Sequence, residues 1–344
     1  MPRKKTIYPV FLPHAGCPFQ CIYCNQHAVV GVGPTGHGIL AEANMRLELY
    51  AEQVRNSHHV GEVAFYGGTF TALPKSLLRT ILGLAGRFVD EGLFTGVRFS
   101  TRPDCLDDDI CQILSEYPVT TVELGVQSFI GPVLDASRRG YSPECARGAA
   151  ARVKQYGWAL GIQLMAGLPE DNASRFLESV WRTVVIRPDF VRIYPTLVLN
   201  GTPLAGLYRS GTYRPLEMEE AMEWVVPAYD LLVSASVPVT RMGLHADAAL
   251  EAPGVMLAGP YHPAFGYLVR CRWWRNRVDA AMESLGTSAP DELLVRAAPN
   301  HVSEVVGQGK TNIEYWKARW GLRNMAVRAD SELAGIEMLM QGYY

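Results

Sequence analysis

From Thr6 to about His245 the chain alternates short β-rich runs with longer stretches whose apolar residues recur at helical spacing. The strand candidates are Ile7–Leu12, Glu62–Tyr66, Gly96–Ser100, Thr121–Val126, Leu160–Met165, Phe190–Leu197 and Val237–Met242. Several are nearly continuous apolar runs, the pattern of parallel strands covered on both faces. Between them Met45–Arg55 is amphipathic, and Ser76–Val89 carries Leu77, Leu78, Ile81, Leu82, Leu84, Ala85 and Phe88 at helical spacing. Ser142–Tyr156 opens with Ser142 as N-cap and Pro143 at the first helical position, and Met218–Ser234 repeats the helical pattern. This alternation predicts crossover units on a parallel sheet: an α/β fold, a partial (β/α)6 TIM-like barrel with its active site at the carboxyl ends of the strands.

After His245 the pattern changes. Ala252-Pro-Gly254 and Gly259-Pro-Tyr-His-Pro263 interrupt it, so the expected division is a core barrel over 1–245 and a small C-terminal α+β domain over 246–344. The second part reads as helix (Tyr267–Leu285), strand (Glu292–Ala297), helix (Asn312–Trp320) and a short last strand (Met325–Val327). No internal repeat or low-complexity tract is present.

With 344 residues, 48% of them hydrophobic, the chain can bury a large core. A net charge of −2 gives no global attraction to nucleic acid or acidic membranes. No apolar run reaches spanning length, so no membrane association is expected, and Met1 to Lys5 lead into no secretory core. Seven cysteines without disulfide-like spacing fit a reducing, cytoplasmic setting. Cys105, Cys111, Cys145 and Cys271 are scattered singly and read as small buried apolar residues.

Cys17, Cys21 and Cys24 form a CxxxCxxC run directly after the first strand. Three thiolates so spaced can ligate three irons of a [4Fe–4S] cluster and leave the fourth iron without a protein ligand. The same thiols with His27 make a Cys₃His zinc site, and a cytosolic CxxC also serves as a redox pair. The second strand runs into Phe65-Tyr-Gly-Gly-Thr-Phe70, where Gly67 and Gly68 allow a ligand to approach the backbone closely. The third and fourth strands lead into Ser100-Thr-Arg-Pro-Asp104 and Glu123-Leu-Gly-Val-Gln-Ser-Phe129, followed by Arg138-Arg139-Gly140.

On these motifs the chain resembles the radical S-adenosylmethionine (SAM) superfamily. The resemblance implies that Cys17, Cys21 and Cys24 hold a [4Fe–4S] cluster and that Gly67, Gly68 and Thr69 contact the methionyl end of SAM. Thr69 stands where that family often has Glu, a departure that leaves a backbone role intact. The Glu, Gln and Arg pattern resembles coproporphyrinogen III oxidase and the Elongator catalytic subunit, and implies that Glu123, Gln127 and Arg139 lie over the SAM ribose and carboxylate. Gln163 replaces an Asp of the coproporphyrinogen oxidases; an amide still bonds a ribose but carries no charge, which argues against a porphyrin substrate. Tyr23 and Phe19 are expected to shield the cluster.

The Elongator-like branch is further marked by Ile193-Tyr-Pro-Thr-Leu-Val-Leu-Asn-Gly-Thr-Pro203 and Gly211-Thr-Tyr-Arg-Pro215. It implies radical chemistry through a 5′-deoxyadenosyl radical, a one-electron donor such as flavodoxin or ferredoxin, and a tRNA substrate; the alternatives are a small-molecule or tetrapyrrole substrate, or a non-catalytic cluster or heme carrier. Residues 246–344 are expected not to hold the acetyltransferase domain of that branch. Val306-Gly-Gln-Gly-Lys-Thr311 is no Walker A loop, since Glu304 occupies the position of its first glycine, and reads instead as a glycine turn opening a helix. Arg270-Cys-Arg-Trp-Trp-Arg-Asn-Arg277 interleaves arginine and tryptophan, which suits either RNA stacking or an anchored helix with solvated arginines. Gln163, Arg192, Tyr194, Arg241 and His245 are substrate-facing candidates at strand ends.

Overall fold

A computed structural model describes residues 6–18, 21–26, 38–284 and 290–341. Phe19, His27 and Met1 to Lys5 lie outside the described residues. The chain forms two compact units, one of 1–221 with 231–261 and one of 222–230 with 262–344.

The first unit is built on seven parallel strands: β1 (Thr6–Phe11), β2 (Gly61–Tyr66), β3 (Phe94–Thr101), β4 (Val119–Gln127), β5 (Ala159–Ala166), β6 (Phe190–Pro195) and, after a two-residue β7 (Val198–Leu199), β8 (Val239–Met242). Their order across the sheet is β1-β2-β3-β4-β5-β6-β8, each strand parallel to its neighbour. This is an α/β partial TIM-like barrel. The unit runs past His245 to Tyr261 because β9 (Met256–Ala258) returns to pair with β7.

Side chains alternate across the sheet with period two. One set, including Val63, Phe65, Val97, Phe99, Val122, Leu124, Leu160, Ile162, Leu164, Val191 and Ile193, is almost wholly buried and apolar. The helices add their own buried stripe, such as Leu78, Ile81, Leu82 and Ala85 of Lys75–Asp90. The alternate set faces the lumen and is polar, with Glu62, Arg98, Thr121 and Glu123 all buried. A polar lumen lined by bonded charges, rather than by layers of branched apolar residues, leaves this barrel a place for chemistry. Ser142 caps the helix Pro143–Gln155, accepting from the backbone of Cys145. Helices Asp108–Ser115 and Ala173–Ile186 were not expected from the sequence; each is capped by an acceptor side chain, Asp107 and Asn172.

The second unit holds a three-stranded sheet in which β10 (Glu292–Ala297) pairs parallel with β11 (Asn324–Ala329) and antiparallel with β12 (Ile336–Gln341). Trp316 of helix Thr311–Trp320 is fully buried, as are Val295 and Val278 of the same unit. Gly307 and Gly309 take positive φ (78° and 60°) just before that helix, as a glycine turn requires.

Candidate active site

The cysteine loop is laced to the loop that follows β2. Leu12 N bonds Tyr66 O at 2.7 Å, His14 N bonds Gly67 O at 2.7 Å, and Thr69 N bonds Ala15 O at 2.8 Å. Contact is close enough to require glycine: a Cβ on Gly68 would sit 2.2 Å from the Ala15 carbonyl oxygen. Gly16, in the left-handed region at φ 72°, faces Thr69 O in the same way. Cys17 Sγ therefore lies 3.4 Å from Thr69 Oγ1. On the far side, Leu204 N bonds Ile22 O at 2.8 Å, and Ile22 packs with Val198, Leu204, Ala205 and Tyr213. Both flanks of the loop are thus fixed by packed elements.

Arg139 reaches the loop from beyond β4. Its guanidinium donates to Cys21 Sγ at 2.9 Å and to the Tyr23 hydroxyl at 3.1 Å, and its other nitrogens bond Tyr141 Oη and the Gly125 carbonyl. Arg139 is buried. Burial alone would lower its pKa, but Tyr141, Tyr23 and Cys21 outweigh that and raise it, so the guanidinium is a fixed cation. A second buried guanidinium, Arg102, stands 3.6 Å from Cys21 Sγ. Asp104 holds it with two bonds, 2.9 and 2.8 Å, and it donates to the Arg139 carbonyl. No site role was expected of Arg102, Asp104 or Tyr141; that of Arg102 depends on Cys21, 81 residues away in the chain.

Deeper in the lumen, Glu123 is fully buried and both its oxygens are engaged. Oε1 accepts from Tyr66 Oη at 2.7 Å and pairs with Arg192 and Arg98, each at 3.0 Å; Oε2 accepts from Gln163 Nε2 at 3.0 Å. Gln163 also donates to Ser100 Oγ at 3.1 Å. Burial, then the Glu123 charge, raises the Tyr66 hydroxyl pKa, so Tyr66 remains a donor. Gln127 ends β4 with φ 67°, a left-handed conformation uncommon for a residue with a side chain, next to a register shift between β4 and β5. Its Oε1 is buried with no hydrogen-bond partner. A strained backbone carrying an unmatched acceptor marks a place where a donor from a ligand fits.

The structure therefore brings Cys17, Cys21, Cys24, Tyr23, Gly67, Gly68, Thr69 and Arg139 to one end of the barrel, and joins Glu123 to Gln163 below them. Arg192 bonds both Tyr66 and Glu123, while His245 is exposed and outside that network.

Two sequence models of one family match the chain: that of the radical SAM superfamily over residues 11–180, and that of the Radical_SAM C-terminal domain over 188–275. The chain belongs to the radical SAM superfamily. Among curated relatives of this radical SAM enzyme, tRNA uridine(34) acetyltransferase of Methanocaldococcus infernus is 31% identical over 185 residues, covering 52% of this chain and 34% of that protein. Elongator complex protein 3 of Mus musculus is 31% identical over 242 residues, covering 60% and 44%. The chain thus spans well under half the length of these relatives. The solved archaeal Methanocaldococcus infernus Elp3 with an N-terminal deletion superposes with a TM-score of 0.58 at 22% identity, over 82% of this chain and 63% of that one, and so shares the fold.

The radical SAM family implies a [4Fe–4S] cluster and SAM, and the donor set fits both. Burial, followed by the charges of Cys21 and Cys17, pushes the Cys24 thiol up to about 12, so a thiolate at Cys24 requires a cationic centre beside it, which iron supplies. Among the described residues no three His, Cys, Asp or Glu side chains converge on a single ion. A cluster takes one thiolate at each of separate corners and needs no such convergence. The hydrogen bond from Arg139 to Cys21 is of the kind that tunes cluster potential. For SAM, the cradle at Gly67 and Gly68, the fixed cation Arg139 and the unmatched Gln127 acceptor supply what a zwitterion with a ribose needs.

Elsewhere, the tryptophans of Phe265–Ser284 do not present base-stacking faces. Trp273 and Trp274 are buried, and their indole nitrogens donate to Asp230 at 2.7 Å and Glu304 at 3.2 Å. Arg270 pairs with Glu304 at 2.5 Å and Arg277 with Asp230 at 3.6 Å, while Arg275 lies over the Tyr315 ring. Both indoles are thus bonded within their own compact unit. Among the described residues no helix is long and apolar enough to cross a membrane.

Proposed function

We propose that the protein cleaves SAM reductively at a [4Fe–4S] cluster and uses the radical to abstract hydrogen from a substrate, namely a uridine of tRNA. The observation that carries this reading is the contact of Arg139 with Cys21 and Tyr23 opposite the Gly67-Gly68-Thr69 loop. It sets a cation and a bare backbone on either side of a three-thiol loop.

Cys17, Cys21 and Cys24 would hold the cluster, and Tyr23, Gly67, Gly68, Thr69, Glu123, Gln127, Arg139 and Gln163 surround the position for SAM. When bound, cluster and SAM supply an organic radical at the carboxyl end of the barrel. The chain's own part is placement. Arg139, its nitrogens already bonded to Cys21, Tyr23, Tyr141 and Gly125, offers a fixed positive charge toward a carboxylate. Gln127 offers an acceptor for a hydroxyl or ammonium group. Tyr23, whose hydroxyl pKa burial raises well above its ordinary value, stays neutral and closes the loop against water. Glu123 holds Arg98, Arg192, Gln163 and Tyr66 in register beneath the reaction space.

The tRNA assignment is supported by the names of the similar proteins and by the Tyr194-Pro-Thr-Leu197 segment, which leads into the β7 strand packed beside the cysteine loop. A flavodoxin or ferredoxin would deliver the electron. The test is anaerobic reconstitution with iron and sulfide, then reduction with dithionite in the presence of SAM. Release of 5′-deoxyadenosine, increased by added tRNA, is expected; brown protein that never cleaves SAM overturns the reading.

A further inference from the structure

Two guanidiniums stand side by side in the lumen with one carboxylate between them and their neighbours. β6 and β8 pair with Arg192 directly opposite Arg241, so both side chains leave the sheet on the same face, from strands about 4.8 Å apart. That face is the lumen, because Arg192 bonds Tyr66 Oη at 3.1 Å and Glu123 at 3.0 Å. Like charges on adjacent strands repel and cost stability.

The lumen does not neutralise them. Among the described strand residues that face it, the carboxylates are Glu62 and Glu123. Arg98 pairs with both, at 3.3 and 3.0 Å, and Arg192 shares Glu123. Thr120 and Thr121 further occupy Glu62. No carboxylate among the described residues pairs with Arg241, and Arg192 Nε is buried without a hydrogen-bond partner. Near Arg241, burial and then the Arg241 charge lower the His245 pKa, against an opposing effect of Asp247. Three guanidiniums against two carboxylates leave one positive charge at the β6–β8 edge, with an unused donor beside it.

We propose that Arg192 and Arg241 form an oxyanion subsite at this edge that receives a phosphate group of the substrate. A planar carboxylate is satisfied by a single guanidinium fork, whereas two forks on neighbouring strands match the several oxygens of a tetrahedral phosphate. The subsite rests on the reading of the lumen as the reaction space, and deepens it: the substrate carries phosphate, from a polynucleotide backbone or from a small phosphorylated molecule.

The test uses the reconstituted protein without SAM. Phenylglyoxal labelling of Arg241 is followed by peptide mass spectrometry in chloride, acetate and inorganic phosphate at equal ionic strength. Phosphate should slow labelling of Arg241 several-fold relative to chloride, and acetate should not. An RNA anticodon stem-loop that protects at far lower phosphate concentration identifies a polynucleotide source; no gain over inorganic phosphate identifies a small molecule. In parallel, the parent protein should show a phosphate-dependent rise in melting temperature that R241Q loses and R241K keeps in part. Equal labelling in phosphate and chloride, equal protection by acetate, an Arg241 that does not label at all, or a phosphate response intact in R241Q would each overturn the subsite. Because no SAM is consumed, protection of Arg241 in a protein that never yields 5′-deoxyadenosine would sink the SAM-cleavage reading alone.

Discussion

Arg139 donates to Cys21 Sγ at 2.9 Å although 118 residues separate the two in the chain. The bond joins the segment after β4 to the loop after β1, and the same guanidinium fixes the Tyr23 hydroxyl. A cation so placed favours extra negative charge on the sulfur side. R139Q should therefore retain iron but shift the cluster to a more negative potential, and lower SAM cleavage roughly tenfold to a hundredfold, the equivalent of about 1.5–3 kcal/mol for a charged hydrogen bond. R139K should recover part of the potential. Redox titration followed by electron paramagnetic resonance, beside iron analysis, checks this; an unchanged potential in R139Q would refute it.

Gly68 has no room for a side chain, since a Cβ would meet the Ala15 carbonyl at 2.2 Å. G68A should push the glycine loop away from the cysteine loop at a cost of about 1–3 kcal/mol. The expected outcome is a lower melting temperature together with poor cluster incorporation, read by absorbance after reconstitution. Normal incorporation in G68A would show that the two loops need not touch.

Glu123 accepts from Tyr66, Arg192 and Gln163 and forms an ion pair with Arg98. E123Q leaves two buried guanidiniums with too little negative charge, and breaking a buried pair in this way costs about 3–5 kcal/mol. Y66F removes one neutral donor and should cost about 1 kcal/mol. Thermal melts of both variants measure the ratio, and comparable losses would count against a charge hub.

Asp171, just past β5, accepts from Gly167 N at 3.3 Å and Asn172 N at 3.0 Å, yet burial pushes its carboxyl up to about 7. A raised acid binds its proton more tightly folded than unfolded. Its contribution to stability is thus full below the ordinary aspartate range and is lost as pH rises through about 7. The melting temperature of D171N minus that of the parent should grow from pH 4 to pH 7.5 and then level off. A difference flat across that window would show that Asp171 titrates normally.

The seven barrel strands were legible in the sequence because parallel strands buried on both faces read as continuous β-rich runs, as at Leu160–Met165 and Phe190–Ile193. The cysteine triplet and the glycine pair were legible because their spacing is local. The lumen was not. Arg98, Arg102 and Tyr66 acquire meaning only through partners dozens of residues away, such as Cys21 for Arg102. β12 escaped notice because Ile336-Glu-Met-Leu-Met-Gln341 is a short apolar run that suits helix and strand alike, and its pairing with β10 decides the matter. The arginine–tryptophan stretch at 270–277 carried two readings because composition does not say which faces are covered, and both indoles are buried.

The carboxylate of Glu123 ties together five neighbouring strands, β2 through β6, by way of a single side chain and its contacts. Variation of the cavity floor is therefore constrained to matched steps. A new specificity that alters one basic partner must also retune an acid or supply a fresh anion, so viable changes at this level should arise as compensated pairs rather than as lone replacements.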